Sequence, residues 1–184
     1  LMEFTPVVDV SKHQGDNLDF GLMRSRGVEG VIIRVSHARV VDERLAQYVR
    51  AARAGGYSDG AIGFYSFMNP RRGSAEEVAQ VAVKAIRAEL GHSDTLYMLD
   101  IEDYKNEPKD PGSKLSFGAE YVTYLRRHID ELRRIAPEVT IIVPGSSCTC
   151  RGVPVRASSE PAWAPKASGI RSSDGGWPSR MAST

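Results

Sequence analysis

A chain of 184 residues that is 41% hydrophobic and 26% charged can bury the core of one ordinary domain. Its net charge of +1 argues against nucleic acid as the main partner. No stretch approaches the roughly 18 uninterrupted apolar residues of a membrane span, and Leu1 to Asp9 lacks the basic and apolar regions of a signal peptide.

From residue 6 to residue 143 the sequence alternates between short apolar runs and helical patterns. Pro6 to Val10 reads as a strand and Asp19 to Arg26 as a short helix ending at Gly27. Gly30 to Ser36 is a second strand. Asp42 to Ala54 is helical and stops at Gly55-Gly56, where left-handed backbone is accessible. Ala61 to Phe67 is the third strand. Ser74 then caps a long helix, with Glu77 three residues on to complete a capping box, and Val78, Ala82, Ile86 and Leu90 line one face. Leu96 to Glu102 is the fourth strand, and a polar, proline-bearing loop runs from Asp103 to Lys114. A fourth helix carries Phe117, Tyr121, Leu125, Ile129 and Leu132 at spacings of three and four. Pro137 closes it, and Val139 to Val143 opens a fifth strand.

Such alternation with apolar strands means a parallel sheet covered by helices, either an open doubly wound sheet or a barrel. No glycine-rich phosphate loop follows any strand, so a nucleotide-binding sheet loses support. A full eight-unit barrel needs about 250 residues, so a barrel here is a reduced one.

After Val143 the pattern ends. Of the 44 residues from Ile141 to Thr184, 19 are Gly, Pro or Ser, and the tail holds five basic against two acidic residues. Residues 144–184 therefore read as an atypical tail, either disordered or out of frame. The tail also holds the two cysteines, Cys148 and Cys150. One intervening residue suits an ordinary disulfide poorly, since bridged Cα atoms sit about 4.4–6.8 Å apart. Two thiols are also too few for a closed zinc site of about four ligands. They read as free thiols.

Polar groups converge at the strand ends. Asp100 and Glu102 share a strand face, as do Val7, Asp9 and Ser11 in the first strand. Tyr65 and Phe67 form an aromatic wall on the third strand. Arg34, Ser36 and His37 end the second, with their facing left open. Parallel barrels place their chemistry at the C-terminal ends of strands. Three acids at one mouth repel, so at least one is expected to hold its proton near neutral pH. Glycoside cleavage needs one protonated acid for the leaving oxygen and one anion under the developing cation. Plainer readings stand beside this one. Asp9 or Asp100 would cap a following helix, and Glu102 would pair with Arg34 or Lys12. His13 and His37 read as loop residues, and Arg126-Arg127 with Arg133-Arg134 as a solvated helix face.

Three motifs sharpen the choice. Asp9-Val-Ser-Lys-His-Gln14, Gly63-Phe-Tyr-Ser-Phe67 and Leu99-Asp-Ile-Glu102 resemble, in letters, order and separation, the family 25 glycoside hydrolases. These are the Chalaropsis-type lysozymes of bacteria, fungi and bacteriophage endolysins. The resemblance covers roughly residues 5 to 143. It implies a reduced, flattened β/α barrel (TIM-barrel-like), with residues 1–143 as a partial catalytic barrel. The implied activity is hydrolysis of the β-1,4 bond between N-acetylmuramic acid and N-acetylglucosamine in peptidoglycan.

By motif, Glu102 would be the general acid. Asp100 would orient the substrate's acetamido group or stabilise the cation, and Asp9 would complete the acidic floor. Tyr65 would contact the sugar, with Phe67, Ser11, Gln14 and Arg34 in the substrate-binding set. No metal or cofactor is implied. The expected partner is the glycan strand, met by a monomer acting on the cell wall, outside the cell or delivered by phage. Family members continue past the fifth strand with further strands, an aromatic-rich segment and another acid. Here Ile141 to Val143 leads into Pro144 to Cys150, and Glu160 and Asp174 are the only acids beyond. The barrel is therefore expected to be incomplete at its C-terminus. The alternative reading is a remnant that binds peptidoglycan without cutting it.

Overall fold

The computed structural model describes residues 5–102 and 119–143. The loop from Asp103 to Lys114, Phe117, Cys148 and Cys150, the 144–184 tail and the expected C-terminal incompleteness lie outside the described residues.

The elements run β1 (Val7–Val10), α1 (Phe20–Ser25), β2 (Gly30–His37), β3 (Val40–Val41), α2 (Leu45–Ala54), β4 (Ile62–Phe67), α3 (Ala75–Leu90), β5 (Leu96–Asp100), α4 (Ala119–Ile135) and β6 (Thr140–Ile142). The sheet order is β1-β2-β4-β5-β6, every pair parallel, with β3 folded back antiparallel onto β2. Each strand is added beside its predecessor and the order never reverses. A doubly wound sheet reverses at a switch point, so the barrel-type winding is the one adopted.

Local chemistry explains the boundaries. Ser74 and Glu77 form the expected capping box, and α3 ends at Gly91 with φ 82°, where a side chain would be strained. Asp19 caps α1 by accepting from Leu22 N–H at 2.8 Å. Most boundaries move by a residue or so, and three differences from the sequence reading have a structural cause or consequence. The helix expected from Asp42 begins at Leu45, because Asp42 is folded into the loop by bonds of its own. The strand expected to reach Glu102 closes at Asp100. The short strand β3 has no periodicity to announce it. It follows a tight turn in which buried Ala38 takes φ 49°, a conformation uncommon outside glycine.

The core lies between one sheet face and the helices. Val31, Ile33, Val35, Phe64, Tyr97 and Leu99 supply the strand side, each no more than 1% exposed. Val78, Ala79, Ala82, Val83 and Ile86 supply α3, and Leu125, Ile129 and Leu132 supply α4. Around α1, Phe20 meets Tyr48 and Tyr57 edge to face, with ring centroids 5.9 and 6.4 Å away. Among the described residues no helix is long and apolar enough to cross a membrane.

Candidate active site

Strand alternation decides which side chains share a face, and register decides how high each one stands. The face away from the core is read off the pairings. Arg34 lies beside Tyr65, and Tyr65 beside Met98. Asp9 lies one level lower beside Ile32, itself paired with Gly63. One level higher, Phe67 pairs with His37 and Asp100. Ser11, two residues past Asp9, continues at the level of Arg34 and Tyr65.

A bulge settles the end of β2. Pairing slips between Arg34 and Ser36, so Val35 is left over and the alternation resets. Arg34 and His37 therefore share the face of Tyr65 and Phe67, whereas Ser36 turns to the core side. There its hydroxyl lies 2.7 Å from that of Ser66. The His37 and Phe67 rings pack edge to face at 4.8 Å.

The acids interact. Asp100 is half-buried, and its carboxyl pKa is pushed up to about 6, first by burial, then by Glu102 and Asp9, against the opposing charge of Arg34. Burial also raises the Tyr65 phenol. Hydrogen bonding with Ser11 and the Arg34 charge oppose this, while Asp9 and Asp100 add to it. Asp9, Arg34, Tyr65, Asp100 and Glu102 thus share one electrostatic neighbourhood. Asp9 and Glu102 are exposed, Tyr65 is buried and Phe67 is intermediate. The retained proton that crowding demands falls on Asp100, the more enclosed carboxyl, and Glu102 stands beyond it at the rim. A group poised near neutral pH beside exposed carboxylates can hold, give or take a proton as a substrate demands.

Ser11, not Asp9, caps the 3₁₀ turn at Lys12–Gln14. Lys12 pairs with Glu43 at 3.7 Å, and Arg34 pairs with Asp42, so neither of these contacts involves Glu102. Ser11 is buried, and its N–H donates to Gln14 Oε1 at 2.7 Å. The exposed Gln14 is thereby engaged in shaping the loop. The sequence pattern places Asp42 at the start of a helix, whereas in the structure it is the residue that meets Arg34. An acid eight positions after a strand arginine was the only signal for it. Two open surface depressions, one edged by Arg39 and Lys84 and the other by Asp16 and Gly55, lie apart from the acids. Among the described residues no group of three or more His, Cys, Asp or Glu is arranged to hold a metal ion.

The model of the Glycosyl hydrolases family 25 matches residues 8–140. Solved structures share the fold. A muramidase from Trichobolus zukalii aligns with TM-score 0.58 at 19% identity, covering 75% of this chain and 64% of that one. A family 25 lysozyme from Aspergillus fumigatus aligns with TM-score 0.58 at 23% identity, covering 73% and 63%. A modular autolysin from Streptococcus pneumoniae, in complex with a synthetic peptidoglycan ligand, aligns with TM-score 0.54 at 20% identity, covering 74% and 32%. This chain therefore spans less than two thirds of the length of each of these proteins. No curated protein sequence matches it significantly.

Proposed function

The chain belongs to the glycosyl hydrolases of family 25, and from that premise we propose that it cleaves peptidoglycan at the β-1,4 bond between N-acetylmuramic acid and N-acetylglucosamine. The observation that carries the reading is the meeting of Asp9, Asp100 and Glu102 at one end of a parallel sheet, with Asp100 tuned to about 6. The structural neighbours named as muramidases and lysozymes support it at the level of the fold, and the peptidoglycan ligand of the pneumococcal autolysin supports the substrate class.

In this reading the proton that Asp100 holds in the free site passes to Glu102 when the substrate's acetamido N–H engages the Asp100 carboxylate. Glu102, at the rim, then protonates the glycosidic oxygen as the bond to C1 breaks. Asp100, ionised, accepts from the acetamido N–H and turns the acetamido oxygen toward C1. Asp9 lies below as a second negative charge under the developing cation. Water then attacks C1 and returns a proton to Glu102. Tyr65 and Phe67 present ring surface to the sugar, and Arg34 and Ser11 frame the floor at the level of Tyr65. The outward Gln14 would meet glycan only at the edge.

The deciding experiment clears a suspension of purified cell walls with the protein while a parallel pull-down reads wall binding. Clearing with new muramic acid reducing ends supports the reading. New glucosamine ends overturn the bond assignment. Pull-down without clearing would make the protein a glycan-binding barrel.

A further inference from the structure

The acids sit beside a buried arginine that is itself held by an acid outside the motifs. Arg34 and Asp42 have side chains only 7% and 1% exposed, and Arg34 Nε donates to Asp42 Oδ2 at 2.7 Å. Asp42 does more than neutralise. Its Oδ2 also accepts from Lys12 N–H at 3.2 Å, and its Oδ1 accepts from Arg44 N–H at 3.0 Å. Its own N–H donates to the carbonyl of the bulged Val35 at 2.9 Å. One residue, through its carboxylate and its own N–H, therefore ties together the loop after β1, strand β2 at its bulge and the entry to α2.

We propose that Asp42 is a positioning residue of the active site, which holds the Arg34 guanidinium at a fixed remove from Asp9 and Asp100 and locks the Ser11 loop to β2. The inference rests on the muramidase reading for its catalytic meaning, but its physical content is a property of the folded protein. A guanidinium tied to Asp42 stabilises the anionic form of Asp100 only partially, leaving that carboxyl poised. Released, it would collapse onto the nearest carboxylates, because isolated buried charges seek partners.

Among the described residues, His37 shares this face and stands level with Asp100 across Phe67. Asp100 faces Glu102 on its own segment, Asp9 on β1, Arg34 on β2 and Tyr65 on β4. Asp42 faces Arg34 and the Tyr48 phenol, which also feels Arg44. Lys12 is paired with Glu43, and the Arg44 side chain is paired with Asp16.

The test follows the Asp100 carboxyl through a ¹³C-detected pH titration of the folded protein, with no substrate present. Asp42→Asn removes a negative charge and frees Arg34, and both effects favour ionised Asp100. The midpoint is expected to fall from about 6 by roughly a unit, and any acidic limb of kcat/KM should fall with it. In Arg34→Met the same Asp42→Asn change should move the midpoint much less, because no guanidinium remains to be released. An unchanged midpoint in Asp42→Asn, or an equal shift in the Arg34→Met background, overturns the proposal. If Asp42→Asn does not fold, Asp42→Glu is read instead. It keeps the charge but advances the guanidinium by one methylene, so a smaller fall is expected and no fall overturns. Because the titration is read without substrate, a protein that fails to clear walls would still report on Asp42.

Discussion

The carbonyl oxygen of Asp100 accepts a hydrogen bond from Met68 N–H at 2.9 Å, so this residue is anchored beside the end of β4 through its main chain. Its carboxyl is left for chemistry and sits where the fold disfavours its charge. The pKa rises from 3.8 to about 6, so Asp100 adds stability below pH 3.8, and that contribution is lost as pH rises through 6. Asp100→Asn removes the strained charge without touching the anchor. The variant is expected to melt higher than the parent at pH 8 and to lose that advantage at pH 4, while turnover falls by orders of magnitude. Equal melting differences at both pH values would show that the carboxyl carries no such strain.

The same ionisation sets a pH dependence for the reaction. If Asp100 must be anionic to hold the acetamido N–H, kcat/KM rises as pH increases through about 6. Glucosaminyl–muramyl oligomers of defined length would supply the profile. A rate that instead declines through pH 6 would make Asp100 the proton donor and displace Glu102 from that role.

Glu102→Gln tests the donor directly. The amide keeps the shape and a hydrogen bond but has no proton to give. General acid catalysis is typically worth about 10²–10⁴-fold, so cleavage should fall at least that far while glycan binding survives. Near-normal rates in the variant would remove Glu102 from the chemistry.

Much of this site was legible in the sequence because its residues obey short-range rules. Asp9, Tyr65, Phe67 and Asp100 lie on regular strands, where alternation assigns a face without knowledge of the fold. Which of Arg34, Ser36 and His37 share a face was not assignable, since the bulge at Val35 resets the alternation after Arg34 and nothing in Val-Ile-Ile-Arg-Val-Ser announces it. Asp42 was misread for a related reason. A polar residue before an apolar periodic stretch reads as a helix start, and its true partners, Arg34 and Lys12, lie 8 and 30 positions away. Barrel winding, as opposed to an open sheet, depends on strand order, a relation among distant segments.

Gly55 and Gly56 illustrate two different demands for glycine. Gly56 takes φ 92°, the left-handed conformation expected of the pair. Gly55 has an ordinary φ of −75°, but a Cβ there would sit 2.8 Å from Gly21 N and from the carbonyl carbon and Cβ of Phe20. Gly55→Ala should therefore force α1 and α2 apart and cost about 1–3 kcal/mol in chemical denaturation. Gly60→Ala, with no atom within 4 Å of the added Cβ, is the control and should be near neutral. Matching stabilities for the two variants would mean that the helices yield freely at this contact.

Beneath the sheet, fully buried His128 joins α4 to both α3 and β5. Its Nδ1 lies 3.0 Å from the carbonyl oxygen of Ala75 and must donate there, which leaves Nε2 to accept from the Tyr97 hydroxyl at 3.3 Å. The ring stacks on Tyr97 at 5.9 Å. This geometry requires a neutral imidazole. Burial lowers the pKa from 6.5 to about 4, against the opposing pull of the Ala75 carbonyl and the Glu76 charge. A depressed histidine pKa means that the unfolded chain takes up the proton first. Stability is whole above pH 6.5, declines as pH falls toward 4 and loses nothing further from this group below that. The shift corresponds to a loss on the order of 3 kcal/mol. Asp100 changes stability in the opposite sense between pH 6 and 3.8, so the measurement belongs in the Asp100→Asn background. There, urea unfolding from pH 7 to pH 4 should show a steeper decline with His128 than with His128→Gln, whose amide can make both hydrogen bonds without titrating. Parallel declines in the two proteins would mean that His128 accepts its proton in place and the α4 packing tolerates the charge.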